Sequence, residues 1–158
     1  MMKRVLFVCW GNICRSPSAE AVFTAVVKKA GLKNEFEIDS AGTIAAHAGE
    51  RADARMRKHA VLRGYQLDSI SRKIDSNVDF DRFDYIVAMD DQNMSDLLSL
   101  SRTEADRHKL SKMTDYSTKY NNTSVPDPYY GGDAGFELVL DLLEDACGGL
   151  LNHIQDEN

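Results

Sequence analysis

The sequence has few of the features that mark several classes of protein. Its three cysteines are odd in number and have no framework-like spacing, which favours a reducing compartment over a disulfide-stapled secreted domain. The apolar run at residues 4–8 is too short for a signal peptide or a membrane span, so we expect a cytoplasmic protein with no membrane partner. The four histidines have no metal-ligand spacing, and we expect neither a metal nor another cofactor.

Positive charge is outnumbered, with 19 lysines and arginines against 25 acidic residues. The formal net charge is −6, and acidic residues run through the C-terminal half, which argues against nucleic acid as the main partner. No repeat, low-complexity tract or linker is present, so we expect one domain over residues 1–158. A chain of this length buries roughly 70% of its unfolded surface and needs no disulfide to fold.

Short apolar runs alternate with segments of helical periodicity along the chain. Strands are predicted at 4–8, 35–43, 84–90 and, from a weaker pattern, 108–113. Helices are predicted at 18–30, 50–63, 91–100 and 136–154, with Ser16 as a cap of the first and Gly148 and Gly149 softening the last. This alternation predicts a parallel sheet covered on both faces, with ligands bound beyond the carboxyl ends of its strands.

The stretch VCWGNICRSPSAE, residues 8–20, joins the first predicted strand to the first predicted helix. Backbone amides in such a loop can converge on one anion, and the helix N-terminus adds the positive end of its dipole. Gly11 eases the turn, and Asn12 is one of the few non-glycine residues that tolerate a positive φ. We therefore predict an anion-binding loop. It is not the ATP-binding type, because no G-x-x-x-x-G-K-[ST] motif occurs.

Cys9 and Arg15 lie six positions apart across this loop. Convergent amides and a guanidinium would drive the Cys9 thiol toward the thiolate, which is the nucleophilic form. Arg15 could hold two oxygens of a phosphoryl group, and Ser16 could hydrogen-bond the sulfur and help it to leave. The alternative is a buried core cysteine beside a solvated arginine, which the strand–loop–helix context disfavours.

A nucleophile at phosphorus also needs a proton donor, because a phenol with a pKa of ~10 leaves poorly as phenolate at pH 7. The candidate is Asp127, which Pro126 and Pro128 hold in VPDPYY. It would protonate the leaving oxygen and then take a proton from the water that hydrolyses the cysteinyl-phosphate. Taken alone, an aspartate between two prolines is more often a turn residue.

Together, VCWGNICRSPSAE and VPDPYYGG resemble the low-molecular-weight protein tyrosine phosphatases. The segments DSAGT, HAGERADARMRKHA and FDYIVAMDDQN are similar to that family's in the same order, so the resemblance covers essentially the whole chain. It implies a doubly wound sheet of four parallel strands with a phosphate-binding loop after strand 1, and hydrolysis of protein phosphotyrosine through a phosphocysteine without a cofactor. It matches Cys9 to the nucleophile, Arg15 to the phosphate clamp and Asp127 to the general acid and base.

The resemblance also implies a set of residues around the substrate. Those expected to bind it are Trp10, Gly11, Asn12, Ile13, Cys14, Ser16, Tyr129 and Tyr130, with Ser40 supporting the loop. Trp10 stands where the family usually has leucine, and Ala46 and His47 stand where some members have tryptophan, so the aromatic wall is expected on the other side. Ser69 stands near a position where many relatives brace Asn12 with a histidine.

The sequence disfavours three alternatives to phosphotyrosine hydrolysis. Relatives that act on phosphoarginine carry threonine where this chain has Ile13, which favours phosphotyrosine. Arsenate reductases need a further cysteine pair, but only Cys14 and Cys147 remain, and Cys147 is expected in the core. A binding module without turnover is disfavoured because nucleophile, clamp and acid are all present. Expected ligands are tyrosine-phosphorylated proteins, with inorganic phosphate or vanadate as inhibitors.

Three further residues or segments carry expectations from the sequence. Cys14 matches a second loop cysteine that pairs with the nucleophile in family members, so we hypothesise a reversible Cys9–Cys14 disulfide; the alternative is packing beneath the loop. The basic segment 51–59 is expected to be a solvated helix face that could raise the potential near the site. Asp90 is expected to cap a helix and could orient an arginine.

Overall fold

A computed structural model describes residues 2–157 as an α/β fold. The strands are β1 (Lys3–Cys9), β2 (Phe36–Gly42), β3 (Tyr85–Ala88) and β4 (Leu110–Lys112). The helices are α1 (Arg15–Lys29), α2 (Ala54–Leu62), α3 (Asp79–Arg82), α4 (Asp91–Leu100), α5 (Glu104–His108) and α6 (Asp133–Asp156), and two 3₁₀ turns lie at Lys33–Glu35 and Met113–Tyr116.

The four strands form one parallel sheet in the order β2-β1-β3-β4, which confirms the predicted fold class. β2 and β3 pair with opposite sides of β1, so the direction of winding reverses there. In open α/β sheets the crevice outside such a reversal point is where ligands bind. Cys9 is the last residue of β1, and the fold therefore places it at this crevice.

Helices cover both faces of the sheet because its strands are apolar on both sides. In β1, Val5 and Phe7 pack into the core that contains α1 and α6, whereas Leu6 and Val8 pack into the core that contains α3 and α4. This alternation is the two-residue period of a strand, here buried on both faces. Phe23 of α1 meets Phe7 edge to face at 5.6 Å and helps to fix α1 over the sheet.

The first helix begins earlier than predicted, so the assignment of Ser16 as its cap is wrong. α1 starts at Arg15, and Cys14 occupies the cap position without a side-chain hydrogen bond. The Ser16 hydroxyl is engaged by the anion loop instead. Pro17 is then the third helical residue, where its missing N–H costs nothing because the first turn has no internal acceptors.

The two glycines of the last helix do not interrupt it, since α6 runs unbroken to Asp156. A Cβ at Gly149 would collide with the carbonyl oxygen of Tyr116. The glycine is therefore a packing residue, which lets the 3₁₀ turn at Met113–Tyr116 lie against the helix. Cys147 on the same helix is fully buried, as predicted, and burial raises the pKa of its thiol.

The remaining differences concern short elements. α3 and α5 have four and five residues, too few to show a helical period in the sequence. α2 begins at Ala54 rather than at residue 50, because the Asp53 carboxylate caps it by accepting the amides of Arg55 and Met56. Across residues 2–157, no helix combines the length and apolar character that crossing a bilayer requires.

Candidate active site

The loop between β1 and α1 has its carbonyl oxygens tied to the surrounding chain. The hydrogen bonds are Thr43 N to Cys9 O (3.0 Å), Ile44 N to Trp10 O (3.2 Å), Ser71 Oγ to Gly11 O (3.0 Å) and Asp53 N to Ile13 O (2.8 Å). In a trans peptide the C=O and the following N–H point in opposite directions. Carbonyls held outward therefore turn the next amides inward, which builds the predicted anion cradle.

Two residues make this tight loop possible. Asn12 has φ 56°, the left-handed conformation that asparagine tolerates better than most non-glycine residues. Gly42, at the end of β2, lies directly behind the loop, and a Cβ there would be 2.8 Å from the Trp10 carbonyl oxygen. A larger residue at 42 would push the loop away from the sheet.

The Asn12 side chain is fixed by three hydrogen bonds. Its Nδ2 donates to Ser16 Oγ at 2.8 Å and to Ser40 Oγ at 3.0 Å, and its Oδ1 accepts from the Arg72 amide at 3.0 Å. The residue is 2% exposed, so water does not compete for these partners. These hydrogen bonds join Asn12 to Ser16, Ser40 and Arg72, and we call them the bracing network. They offset the conformational cost of the positive φ, and they include the predicted support residue Ser40.

The bracing network extends to a carboxylate that the sequence did not reveal. Ser40 donates to Glu20 Oε1 at 2.6 Å, and Glu20 also accepts a hydrogen bond from Ser69. Burial raises the pKa of Glu20, while its two serine donors act against that rise. Ser69 thus reaches Asn12 through Glu20 and Ser40, rather than directly.

Cys9 lies at the floor of the loop with 2% of its surface exposed. Its Sγ is 3.0 Å from Ser16 Oγ. A hydroxyl in this position can donate to a thiolate and stabilise its charge. At this distance the Ser16 hydroxyl can act as the hydrogen-bond partner of the Cys9 sulfur, as predicted.

Arg15 is 3% exposed and is oriented by acceptors behind it. Its Nη1 donates to Asp90 Oδ2 at 2.5 Å and to the Val125 carbonyl at 3.1 Å. Burial disfavours its charge, but Cys9 and the neighbouring carboxylates together raise the pKa of the guanidinium. Asp90 also caps α4 by accepting the Asn93 amide at 2.7 Å, so both of its expected roles are confirmed.

Asp127 reaches the same cleft from the loop before α6. Its Oδ1 accepts the Tyr129 amide at 3.0 Å, an Asx turn that fixes the carboxyl. The other oxygen, Oδ2, is 3.6 Å from Arg15 Nη2. The side chain is 39% exposed, so it can exchange protons with solvent.

The walls of the cleft are largely aromatic. Trp10 is 45% exposed at the mouth, and Tyr129 packs against Tyr130 with ring centroids 5.0 Å apart. His47 also lines the cleft, 6.2 Å from the Tyr129 ring. Arg55 holds this wall, because its Nη2 donates to the Tyr129 carbonyl at 3.0 Å and its guanidinium lies 5.3 Å over the ring.

The structure divides the predicted site residues into two groups. Those lining the cleft are Cys9, Trp10, Gly11, Ile13, Cys14, Arg15, Asp127, Tyr129 and Tyr130. Asn12, Ser16 and Ser40 lie in the bracing network behind it. Sequence reasoning missed four bracing or positioning contacts. Ser71 and Arg72 reach the loop from a distant segment, and Arg55 holds Tyr129 in the wall of the cleft. Glu20, on α1 close to the loop, accepts from Ser40, which β2 supplies.

The second loop cysteine, Cys14, is 3% exposed and lines the cleft beside Cys9. Both are free thiols. Burial raises the pKa of Cys14, and the nearby charge of Asp53 adds to the effect. Within residues 2–157, no three His, Cys, Asp or Glu side chains are grouped as metal ligands would be.

A nucleophilic cysteine and an arginine around an amide-lined loop, at the carboxyl end of a parallel strand, define a cysteine-dependent phosphatase site. Comparison with known proteins identifies the family. The model of the low molecular weight phosphotyrosine protein phosphatases matches residues 4–158, and the chain belongs to this family. The resemblance inferred from the sequence is thus confirmed.

Individual relatives extend over nearly the whole chain. A low molecular weight protein-tyrosine-phosphatase of Streptomyces coelicolor is 44% identical, covering 99% of this chain and 96% of its own. A crystal structure of a protein tyrosine phosphatase from Entamoeba histolytica, with HEPES in the active site, superposes with a TM-score of 0.95 at 50% identity, covering 98% of each chain. A Drosophila arginine phosphatase superposes with a TM-score of 0.90 at 32% identity, covering 99% of this chain and 100% of its own.

Proposed function

We propose that the protein hydrolyses the phosphotyrosine of protein substrates in two displacement steps at this cleft. The observation that carries the proposal is the convergence of three groups: Cys9 lines the same cleft as Arg15 and Asp127, and the last two are 3.6 Å apart. These are the parts that thiolate attack on a phosphate monoester requires.

In the first step, Cys9 Sγ attacks phosphorus, forming the S–P bond while the P–O bond to the phenol breaks. Arg15 binds two of the phosphoryl oxygens, and the inward amides of the loop bind the third. Asp127 enters as the neutral acid and gives its proton to the leaving oxygen. The products are the free tyrosine side chain and a cysteinyl-phosphate.

In the second step, water takes the place of the departed tyrosine. The Asp127 carboxylate accepts a proton from this water, whose oxygen forms a bond to phosphorus as the S–P bond breaks. Ser16, 3.0 Å from the sulfur, donates to the thiolate as it leaves. Inorganic phosphate is released, and phosphate or vanadate should inhibit by occupying the same loop.

The aromatic walls favour an aryl phosphate. Trp10 and Tyr129 can pack on the two faces of a phenyl ring that reaches down to the loop. Phosphoarginine is the second candidate, since one neighbour of the same fold is an arginine phosphatase. Ile13, an apolar residue at the cleft, favours the aromatic substrate.

A panel of matched peptides tests the proposal. We expect release of phosphate from phosphotyrosine peptides, with a kcat/KM at least about tenfold above that for phosphoarginine peptides of the same sequence, since one apolar contact contributes about 1–3 kcal/mol to discrimination. Phosphate release is measured in both series, and arsenate reduction coupled to thiols is assayed in parallel. Higher kcat/KM on phosphoarginine, or arsenate reduction without phosphatase activity, would contradict the assignment.

We also propose that Cys14 protects the nucleophile from oxidation. Oxidation of Cys9 to a sulfenic acid, followed by attack of the Cys14 sulfur with loss of water, gives a Cys9–Cys14 disulfide that thiols reduce. After brief peroxide treatment and reduction, the wild type should recover most of its initial activity and Cys14→Ser a clearly smaller share of its own. Equal recovered shares would exclude a protective role and leave Cys14 as a packing residue.

We further propose that residues 1–158 form a single domain and that this domain acts on tyrosine-phosphorylated proteins in the cytoplasm. The two cores that share β1 support one domain, because every strand of the sheet contributes to them.

A further inference from the structure

The arginines of this protein differ in how their charge is compensated. In the described residues 2–157, eight of the ten arginines form an ion pair with a carboxylate. Arg51 and Arg57 are the two with no carboxylate partner among those residues. In a chain with a net charge of −6, two uncompensated guanidiniums near each other are unusual.

Both of these arginines line one groove beside the active site. The groove shares Ile13, His47 and Tyr129 with the catalytic cleft, so the two are continuous. A peptide whose phosphotyrosine enters the cleft can extend over this shared rim. Its neighbouring side chains can therefore reach Arg51 and Arg57.

The carboxylates in the groove are already engaged. Asp53 caps α2 and holds Arg55 at 3.1 Å, and Glu50 lies 3.1 Å from His47 Nδ1. Arg57 is positioned by its Nε, which donates to the Ala52 carbonyl at 3.0 Å. In the described part of the chain the two Nη groups of Arg57 make no hydrogen bond, so they can bind a carboxylate or phosphate in a fork.

We propose that this groove, defined by Arg51 and Arg57, binds an acidic side chain of the substrate next to its phosphotyrosine. The inference rests on the proposed function and adds a substrate class to it: phosphotyrosine flanked by aspartate, glutamate or a second phosphorylated residue. It also explains how a chain of net negative charge attracts such substrates, because local potential rather than net charge steers a ligand.

The test measures kcat/KM on phosphotyrosine peptides in which a single glutamate is moved through the three positions on each side. At the position that reaches the groove, we expect glutamate to raise kcat/KM about 2- to 30-fold over glutamine, the range for two exposed ion pairs. The preference should shrink as salt is raised. The double variant Arg51→Gln, Arg57→Gln should bring the ratio to about one.

The matched control is Arg82→Gln with Arg107→Gln, which changes the net charge equally. These arginines pair with Glu37 and Glu104 and precede β3 and β4 in the chain, at the sheet edge opposite the cleft. The control should keep the glutamate preference. An equal loss in both double variants would mean that net charge, not the groove, sets the preference, and would overturn the inference.

Two other results would also overturn it. One is a wild type that hydrolyses all the peptides with no preference at any position. The other is a preference that survives in Arg51→Gln, Arg57→Gln. Failure of the proposed function is distinguishable from these, because the wild type would then release no phosphate from any phosphotyrosine peptide.

Discussion

Replacement of Cys9 by serine is expected to lower kcat by about 10⁴-fold or more, while phosphate binding is retained. A serine hydroxyl is not ionised at neutral pH and needs a neighbouring base to take its proton. The hydrogen-bond partner of Cys9 Sγ within residues 2–157 is the Ser16 hydroxyl, which is not such a base. The amides and Arg15 that bind the anion belong to other residues and stay in place. Steady-state phosphate release from substrate and calorimetric binding of inorganic phosphate measure the two effects separately.

The fully buried Cys147 provides a matched control in the same chain. Cys147→Ser removes a thiol far from the cleft, so it should reduce stability but leave turnover per folded molecule within a few-fold of the wild type. If Cys9→Ser kept substantial turnover, another group would be the nucleophile. If it lost phosphate binding as well, the loss of turnover would reflect a collapsed loop.

The sequence predicted the fold well because its signals are local. Buried strands such as residues 4–8 are short apolar runs, and the helix–strand alternation that follows them leaves few topologies open. Because the strands are parallel, the carboxyl end of β1 lies at the edge of the sheet where ligands bind. The short helix α3 escaped prediction because four residues do not complete a recognisable period.

The site was predictable where a recognisable motif marks it, as around Cys9 and at Asp127, and unpredictable where a contact depends only on how the chain folds. Cys9, Asn12 and Arg15 lie in one short segment, from the end of β1 to the start of α1. Its glycine, asparagine and cysteine indicate an anion-binding turn. Glu20 gives no such signal, since a glutamate on a helix is ordinarily a surface residue. Its role appears only when β2 brings Ser40 within 2.6 Å of it.

The wrong prediction of Ser16 as the cap of α1 has a similar cause. Ser16 followed by proline is a sound helix-start pattern, but the serine hydroxyl lies 3.0 Å from the Cys9 sulfur and accepts from Asn12. The contact of Ser16 with the Cys9 sulfur outweighs the preference of serine for the cap position, and the sequence pattern does not show that contact. Such conflicts between local rules and structure are expected at active sites.

Replacement of Asp127 by asparagine should reduce kcat on phosphotyrosine about 10²- to 10⁴-fold and remove the fall of activity at high pH. The acid works only when protonated, so the wild type loses activity as rising pH strips that proton, whereas asparagine has no proton to lose there. Asparagine can still accept the Tyr129 amide, which preserves the Asx turn. Initial rates across pH 4–9 give both readouts.

The leaving group separates acid catalysis from a change in loop structure. A phenol that is itself acidic needs little protonation, so the loss in Asp127→Asn should shrink steadily as the leaving phenol becomes more acidic. A mispositioned loop would instead lower the rate on all aryl phosphates alike. Asp133→Asn, on an exposed residue that contacts His59, is the matched control and should keep the wild-type profile. An unchanged high-pH limb in Asp127→Asn would assign the proton donor to another group.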